Sequence, residues 1–374
     1  MPVKRVEKTP MPERDAVLRS HDFGEVNEGY GIAHAQFEAE RCLRCQDAVC
    51  IDGCPVQVPI PEFIHEVAKG DMRRAAEILR SSNPLPAVCG RVCPQEVQCE
   101  EQCSVGIRFK PVAIGYLERF VADWEMDQTD IEINANLHRD EKVAVIGSGP
   151  AGLVCAGELA RLGYPVTIFE ALHAPGGVLR YGIPEFRLPK DVLDWEIEQL
   201  KKLGVEIQCN IIIGKTLTMD QLMGEMGFKA VFIGTGAGLP SFMGIPGENL
   251  NGVYSANEFL TRVNLMQAND FPNADTPVMV GKRVAVIGAG NTAMDTVRVA
   301  LRVGAEQGLV VYRRSVQEMT ARVEEHEHAI EEGVEFHWLT NPVEILGDED
   351  GWVTGLRCVR MELGEPDESG RARP

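Results

Sequence analysis

The sequence predicts an α+β chain of several domains, in which a helical domain precedes two α/β domains built on parallel sheets. Three observations lead to this fold class. Eight of the eleven cysteines lie between Cys42 and Cys103, in a region whose pattern is mainly helical. Two later stretches, beginning at Lys142 and Arg283, each have the pattern of a strand, a glycine-rich turn, a helix and a second strand. The 374 residues are enough for two or three domains.

The first helices are predicted from proline, glycine and apolar spacing. Residues 1–30 combine proline and charge with few apolar side chains, so we expect an extended arm there. Pro61 lies in the first turn of a predicted helix that ends at Gly70. Asp71 begins the next helix, which continues to Arg80.

A third helix is predicted over residues 113–124, because Ile114, Leu117 and Phe120 recur at helical spacing. Residues 125–140 are polar and aperiodic, which indicates a linker. The helical domain is therefore expected to cover residues 1–140.

The clustered cysteines have the spacing of iron–sulfur ligands. Two to five residues separate neighbouring cysteines in each of two groups, Cys42–Cys54 and Cys89–Cys103, and a proline follows both Cys54 and Cys93. Disulfides are disfavoured because the polar start of the chain has no secretory apolar core. Zinc is disfavoured because it is more often bound by two well-separated pairs.

Three further cysteines lie alone in apolar surroundings. We expect Cys155, Cys209 and Cys358 to be buried and inert.

The two α/β stretches repeat one pattern. In the first, strand Val143–Ile146 precedes a glycine-rich turn, a helix over 153–162 and strand Val166–Phe169. In the second, strand Arg283–Ile287 precedes a similar turn, a helix that continues to Arg302 and a strand over 308–312. Such alternation predicts parallel Rossmann-like sheets, in a domain of residues 141–280 and another of residues 281–374.

The glycine-rich turns indicate dinucleotide binding, because each follows a strand and opens a helix. In the first turn, Gly147 permits a tight bend, Gly149 lets the backbone approach a pyrophosphate, and Gly152 lets helix and strand pack closely. The helix N-terminus offers free N–H groups to the phosphates. Glu170, at the end of the second strand, is placed to accept hydrogen bonds from ribose hydroxyls.

The second turn favours NADP over NAD. Its third small residue is Ala293, and its second strand is followed by Arg313 and Arg314, where the first unit has Glu170. Guanidinium groups pair with a 2′-phosphate, which a carboxylate would repel. The alternative interpretation, two solvated surface arginines, remains open at this point.

Net charge limits the partners. The sequence has 37 Lys and Arg against 56 Asp and Glu, a formal charge of −19, which argues against nucleic acid and anionic membrane partners. No apolar stretch is long enough to span a bilayer. We therefore expect a cytoplasmic protein in a reducing compartment.

Six stretches of this sequence carry a family resemblance: 41–45 (RCLRC), 53–56 (GCPV), 89–94 (CGRVCP), 111–115 (PVAIG), 181–190 (YGIPEFRLPK) and 290–295 (GNTAMD). The chain resembles the small, pyridine-nucleotide-oxidising subunit of bacterial glutamate synthase from residue 25 to 360. Relatives of that subunit are the large subunit of NADH-dependent ferredoxin:NADP oxidoreductase, sulfide dehydrogenase and the N-terminal part of dihydropyrimidine dehydrogenase.

The resemblance implies the cluster ligands. One [4Fe–4S] cluster would be held by Cys42, Cys45, Cys50 and Cys103. The second would be held by Cys54, Cys93 and Cys99, with Glu118 as the fourth ligand. Cys89 is the alternative fourth ligand, since an all-cysteine set is the commoner arrangement.

The resemblance also implies the nucleotide sites. FAD would be bound by Gly147, Gly149, Pro150, Ala151, Gly152, Glu170, Gly177, Arg180, Gly182 and Ile183. NADP(H) would be bound by Gly288, Gly290, Asn291, Thr292, Asp295, Arg313 and Arg314. Hydride transfer between stacked rings depends on positioning, so no catalytic base is assigned, and His326 and His328 are expected to be solvated.

The implied function is electron input. Electrons would pass from NADPH through FAD to the two clusters and then to a partner, most simply the large subunit of glutamate synthase, which makes glutamate from 2-oxoglutarate and glutamine. The alternatives are a ferredoxin:NADP oxidoreductase or sulfide dehydrogenase subunit and, in another class, a non-catalytic scaffold that carries clusters. An oligomer with its redox partner is expected.

The sequence departs from the family pattern near Pro374. In the family an FAD-capping segment follows the inserted NADP domain, and this chain ends before it. We therefore expect an incomplete FAD domain with an exposed sheet edge or apolar patch.

Overall fold

The computed structural model describes residues 7–128 and 138–374, and the chain divides into two compact units. The first unit contains Glu25–Arg180, Phe186–Gly236 and the described residues up to Glu13. The second unit contains Arg14–Gly24, Tyr181–Glu185 and Ala237–Pro374.

The α-helices of the described residues are α1 (Ala16–Arg19), α2 (Ile32–Ala39), α3 (Val49–Asp52), α4 (Ile60–Lys69), α5 (Met72–Arg80), α6 (Pro86–Val92), α7 (Ile114–Met126), α8 (Pro150–Arg161), α9 (Val178–Tyr181), α10 (Lys190–Lys202), α11 (Ala256–Asn264), α12 (Asn291–Arg302) and α13 (Val323–Glu331). The strands are β1 (Val143–Ile146), β2 (Val166–Phe169), β3 (Glu206–Gln208), β4 (Ala230–Ile233), β5 (Arg283–Ile287), β6 (Gln307–Val311), β7 (Glu335–His337), β8 (Thr340–Gly347) and β9 (Val353–Arg360).

The predicted boundary between α4 and α5 is confirmed. Gly70 ends α4 with a φ of 87°, in the left-handed region that favours glycine. The Asp71 side chain then accepts a hydrogen bond from the Arg74 N–H at 3.0 Å and caps α5. Short-range signals therefore define this turn.

The predicted end of α7 is wrong by two residues. The helix continues to Met126 because Glu125 is buried and its carboxylate accepts a hydrogen bond from Arg80 Nε at 2.9 Å. The predicted linker therefore begins later than residue 125, and residues 129–137 of it lie outside the described residues.

The helical core forms where α4, α5 and α7 pack together. Phe63, Leu79 and Leu117 are completely buried in it. Helix α6 packs against α7 at a glycine, since a Cβ on Gly90 would lie only 2.5 Å from the Arg119 backbone nitrogen. Gly90 thus allows a close helix crossing beside the second group of cysteines.

The first nucleotide-type sheet has four parallel strands in the order β3-β2-β1-β4, as the repeated pattern predicts. Both β1 and β2 are buried along their whole length. Helix α8 begins at Pro150, earlier than the predicted residue 153, because proline is well suited to a first helical turn.

Strand β4 is an edge of this sheet, and Ile233 on it is 64 % exposed. In the second unit, Leu239 and Phe242 are also largely exposed. Exposed apolar side chains are therefore found both on this edge strand and in the second unit.

A buried ion network joins the helical part of the first unit to its sheet part. Arg80, from α5, donates hydrogen bonds to Glu125 of α7 and to Glu196 of α10, the latter at 3.0 Å. The other Glu196 oxygen accepts the Ala87 N–H at 2.8 Å, at the start of α6. The Arg80 guanidinium also lies 5.1 Å from the centre of the Trp195 ring.

The second unit contains a parallel sheet in the order β5-β6-β7 and an antiparallel pair, β8-β9. The predicted strand over 308–312 is displaced by one residue from β6.

In the same unit, buried charges connect helix α12 to the end of α13. Arg298 and Arg302 both donate to Glu332, at 2.8 and 2.7 Å. Burial opposes ionisation of Glu332, but these hydrogen bonds outweigh it and lower its pKa to about 2.

The prediction of an extended arm over residues 1–30 is wrong for part of that segment. Helix α1 lies in the second unit, and its Arg19 side chain is buried and pairs with Glu331 at 2.5 Å. The arm has few apolar residues, so this charge pairing, which the sequence pattern does not show, orders it. Residues 1–6 lie outside the described residues.

Within the described residues, no helix is both long and apolar enough to cross a bilayer.

Candidate functional site

The four cysteines that the family resemblance implies as ligands of one cluster converge. Cys42, Cys45, Cys50 and Cys103 line one small cavity that is partly open to solvent. The remaining wall is mostly apolar, from side chains such as Val105. Cys42 and Cys103, which are 61 positions apart in sequence, therefore contribute to one sulfur-lined site.

Burial and the neighbouring thiols disfavour ionisation of Cys42 and Cys50. Burial, reinforced by the other thiols of the group, raises the pKa of Cys50 to about 12. Burial likewise raises the pKa of Cys42. Four thiolates would be stable in this cavity only with positive charge among them, which fits the donor set of an iron–sulfur cluster.

The residues that the resemblance implies for the second cluster, Cys54, Cys93, Cys99 and Glu118, also interact with one another. Burial raises the pKa of Cys99, and the charges of Glu100, Glu118, Cys93 and Cys54 act in the same direction. Burial raises the pKa of Cys89 as well, with a contribution from Glu118. All four predicted ligands and the alternative ligand therefore lie in one region.

Asn83 connects the two candidates for the fourth ligand. Its Nδ2 donates to Glu118 Oε1 at 2.8 Å, and its Oδ1 lies 3.7 Å from Cys89 Sγ. Glu118 is buried on α7, which raises its pKa to about 7 despite the hydrogen bond from Asn83. Asn83 therefore contacts both candidates for the fourth ligand.

The first glycine turn has the predicted form. Gly147 has a φ of 95°, and a Cβ there would lie 2.4 Å from the Gly234 carbonyl oxygen. A Cβ on Gly152 would lie 1.9 Å from the Gly147 carbonyl oxygen. Gly149 precedes α8 without a side-chain cap, so the first N–H groups of α8 are available to a phosphate. Backbone crowding thus explains Gly147 and Gly152, while Gly149 leaves space.

Glu170 is fixed against this turn. Its Oε2 accepts the Ser148 N–H at 2.9 Å and the Ser148 hydroxyl, and its Oε1 accepts the Leu172 N–H at 2.8 Å. The Ser148 hydroxyl also accepts the Gly176 N–H at 3.0 Å. The carboxylate predicted to meet a ribose is therefore held at the end of β2.

The other residues expected at the first nucleotide are divided between the units. Gly177 lies against the turn, because a Cβ there would be 2.6 Å from the Gly149 Cα. Arg180 is in α9 and pairs with an aspartate of α10. Gly182 and Ile183 belong to the second unit. Pro150 and Ala151 form the first turn of α8.

The second glycine turn repeats this design. Gly288 has a φ of 120°, and its N–H donates to the Val311 carbonyl at 2.9 Å, at the end of β6. Gly290 precedes α12 without a side-chain cap. Asn291 Oδ1 accepts the Arg322 N–H at 2.9 Å, which ties the turn to the segment before α13.

Two further predicted residues lie early in α12. Thr292 is exposed, whereas Asp295 is buried. Thr292 is therefore accessible to a ligand at the helix N-terminus.

The two predicted phosphate-binding arginines differ in their surroundings. Arg313 is exposed. Arg314 is buried and donates to Asp367 Oδ2 at 2.5 Å and to the Ala372 carbonyl at 2.9 Å. The interpretation of both as solvated surface arginines is therefore wrong for Arg314.

The sequence also misjudges some side chains outside these sites. His328 is buried, and the His326 ring packs 4.8 Å from the Phe336 ring, so neither is simply solvated. The three isolated cysteines expected to be buried, Cys155, Cys209 and Cys358, are only partly buried.

Four residues around the sites were not predicted: Asn83, Gln98, Ser148 and Asp367. Gln98 Oε1 lies 3.1 Å from Cys93 Sγ. Only Asn83 carries a local signal, since Asn before proline marks a turn. The others contact partners that spacing does not reveal.

Comparison with known proteins identifies two family matches. Residues 19–130 match the family described as dihydropyrimidine dehydrogenase domain II with a 4Fe–4S cluster. Residues 141–368 match the family of pyridine nucleotide-disulphide oxidoreductases.

The chain is also similar to curated proteins along most of its length. It is 38 % identical over 369 residues to the small chain of NADPH glutamate synthase from Halomonas elongata, a match that covers 97 % of this chain and 76 % of that protein. It is 42 % identical over 351 residues to the beta subunit of NADP(+)-dependent formate dehydrogenase from Moorella thermoacetica, which covers 87 % of this chain and 48 % of that protein.

Among solved structures, FprA of Mycobacterium tuberculosis in complex with NADPH matches with a TM-score of 0.52 at 21 % identity. The match covers 63 % of this chain and 66 % of FprA. This likeness concerns the fold alone.

Proposed function

Since this chain belongs to the family of NADPH-dependent glutamate synthase small chains, we propose that it oxidises NADPH and delivers electrons to a large glutamate synthase subunit. The family resemblance noted from the sequence is thereby confirmed. The chain is an NAD(P)H-dependent flavin and iron–sulfur oxidoreductase subunit. NADP as the nucleotide, two clusters and the glutamate synthase partner are our proposals.

The observation that supports this proposal most strongly is that the first unit contains both the clustered cysteines and a dinucleotide-type glycine turn. One compact unit contains both cysteine groups and a glycine turn with an uncapped helix N-terminus. Bound FAD would accept the two electrons of a hydride and release them singly to iron–sulfur clusters. The chain thus combines the residues that both kinds of electron transfer require.

We assign the chain's residues as follows. The sulfurs that line the first cavity would hold one cluster, and the second group with Glu118 would hold another. The N–H groups of α8 would bind the phosphates of FAD, and Glu170 would bind its ribose. The turn before α12, with Arg313 and Arg314, would bind NADPH. The proposed domains are 1–140 for the clusters, 141–280 for FAD and 281–374 for NADP.

A second candidate function is electron input to another NADP-linked enzyme. The similarity to the formate dehydrogenase beta subunit favours it, since identity there is 42 %. That match covers only 48 % of the relative, so it concerns a shared module. The glutamate synthase small chain is matched along 76 % of its length, which favours our first proposal.

Anaerobic purification followed by addition of NADPH tests the electron-input function. We expect about eight iron atoms per chain with equivalent acid-labile sulfide, bound flavin, and bleaching of the flavin absorbance by NADPH. Iron-containing protein whose spectrum does not respond to NADPH would instead indicate a cluster-bearing scaffold.

The partner is tested separately by mixing the chain with the large glutamate synthase subunit. We expect a stable complex and NADPH-dependent glutamate formation. NADPH oxidation by the chain without any such complex would favour the second candidate function.

A further inference from the structure

We propose that Asp367 is a specificity-determining residue of the second nucleotide site, where its carboxylate competes with the 2′-phosphate of the nucleotide for Arg314. This inference rests on the proposed binding of NADP at that site. Arg313 and Arg314 are expected to strengthen the binding of the 2′-phosphate, whereas Asp367 would weaken it.

The position of Arg314, just after the end of β6, is the first observation behind this inference. Arg314 lies three residues beyond that strand, on the side of the sheet where the glycine turn before α12 begins, and its side chain is only 7 % exposed. Its Nη2 donates to Asp367 at 2.5 Å and its Nε donates to the Ala372 carbonyl at 2.9 Å. These two donors form one edge of the planar guanidinium, and such an edge can bind a phosphate through two parallel hydrogen bonds.

Both acceptors belong to one small hairpin near residues 364–373. The Gly364 N–H donates to the Arg373 carbonyl at 2.7 Å, and the Asp367 N–H donates to the Arg371 carbonyl at 2.8 Å. Asp367 Oδ1 accepts the Ser369 N–H at 2.9 Å. One carboxylate oxygen thus stabilises the turn of the hairpin, while the other faces Arg314.

Asp367 is charged under ordinary conditions. Hydrogen bonds from Ser369, together with the nearby Arg314, lower its pKa to about 2. At neutral pH, Arg314 therefore faces an anion already present in the chain. A 2′-phosphate that approached this guanidinium would have to replace that carboxylate and would also be repelled by it.

The effect should depend on the 2′-phosphate alone. A nucleotide without this group has no need of Arg314 and would not compete with Asp367. The exposed Arg313 gives the phosphate a first contact that does not require the hairpin to move. Removal of the Asp367 charge should therefore strengthen the binding of 2′-phosphorylated nucleotides selectively.

The test is calorimetric titration of the full chain with 2′,5′-ADP and with 5′-AMP. Asp367→Asn keeps the Oδ1 acceptor of the hairpin and removes the charge. We expect it to bind 2′,5′-ADP roughly two- to tenfold more tightly than the unaltered chain, with 5′-AMP unchanged, because partly exposed ion pairs have modest strength. Glu368→Gln is the matched control, since Glu368 is exposed and one residue away. It removes the same charge and should leave both affinities unchanged.

The same substitution in a chain that lacks Arg314 separates an effect through Arg314 from a change in the folding of the hairpin. If Asp367 acts through Arg314, Asp367→Asn should have no effect on 2′,5′-ADP binding in a chain that already carries Arg314→Gln. Unchanged or weaker 2′,5′-ADP binding by Asp367→Asn alone overturns the inference but leaves the proposed NADP site intact. Absence of 2′,5′-ADP binding by both the unaltered chain and Asp367→Asn overturns the NADP site and this inference with it.

Discussion

Asn83 is the residue at which the two possible ligand sets of the second cysteine group meet. Its amide nitrogen donates a hydrogen bond to Glu118, and its amide oxygen lies beside the Cys89 sulfur. A carboxylate is a harder ligand than a thiolate, so the choice between them changes the charge and the potential of a bound cluster. The two ligand sets can therefore be separated by mutation.

Glu118→Gln should alter one cluster only. The amide keeps an oxygen for the Asn83 hydrogen bond and nearly the same volume, but it is a poor iron ligand. We expect loss of about half of the bound iron, or a shifted electron paramagnetic resonance signal and potential for one cluster, with the other unchanged. Iron analysis and redox titration of the anaerobically purified chain measure this.

Cys89→Ala is the matched variant, since Cys89 contacts the same asparagine. If Glu118 is the ligand, this variant should retain both signals. A chain that keeps both clusters with Glu118→Gln and loses one with Cys89→Ala would establish the all-cysteine set instead.

At the scale of helices and strands, the sequence predictions are correct where neighbouring residues determine the structure. They are wrong where partners distant in sequence determine it. The turn between α4 and α5 is predicted correctly because Gly70 and Asp71 act on their immediate neighbours. The end of α7 is missed because Glu125 is held by Arg80, 45 residues away. The burial of Arg19 is missed for the same reason, since its partner Glu332 is 313 residues distant.

The candidate sites show the same division. Cysteine spacing indicates cluster ligands in general, and the family resemblance implies which cysteines form each set. The strand–turn–helix pattern predicts the residues that the structure brings together in each glycine turn. Asp367 lies 53 residues from Arg314, and no motif connects them. Motifs therefore indicate the groups that would contact a cofactor, while the side chains that orient or oppose those groups become visible only after folding.

The first glycine turn offers a test that separates folding from ligand binding. A Cβ on Gly149 would meet its nearest neighbour at 4.0 Å, whereas a Cβ on Gly152 would lie 1.9 Å from a backbone oxygen. Gly149→Ala should therefore cost about 1 kcal/mol of unfolding free energy or less but greatly weaken FAD binding. Gly152→Ala should destabilise the fold itself by several times that amount, on the order of 3 kcal/mol.

Chemical unfolding of the cofactor-free chain and flavin titration measure the two effects independently. Tight FAD binding by a stable Gly149→Ala chain would contradict the assignment of this turn to a pyrophosphate.

At the scale of the whole molecule, the helical part and the first parallel sheet belong to one compact unit, and buried charge connects them. Arg80 donates hydrogen bonds to Glu125 in the helical part and to Glu196 in α10. Glu196 in turn accepts the N–H of Ala87, at the start of the helix that contains Cys89. The position of that cysteine helix therefore depends on a residue from the nucleotide-binding part. Such coupling would suit a chain in which clusters must keep a fixed distance from a flavin.

Glu196→Gln should loosen this connection. The glutamine retains the shape of the side chain and an acceptor for Ala87, but Arg80 loses one of its two buried carboxylates. Removal of one partner from a buried ion network is costly, so we expect a loss of about 3 kcal/mol in the stability of the first unit. Hydrogen exchange measured by mass spectrometry should show faster exchange in α6 and α10, with peptides from β5 and α12 of the second unit unchanged.

Glu198→Gln is the control on the same helix, because Glu198 forms an exposed pair with Lys201 at 2.6 Å and its side chain is 57 % exposed. An exposed pair of this kind contributes about 1 kcal/mol or less, so exchange in α6 should be unaffected. If α6 exchanges at the same rate in both variants, Glu196 does not connect the two parts. If α6 is loosened only by Glu196→Gln, a single carboxylate of the nucleotide-binding part stabilises the helix that leads into the second cysteine group.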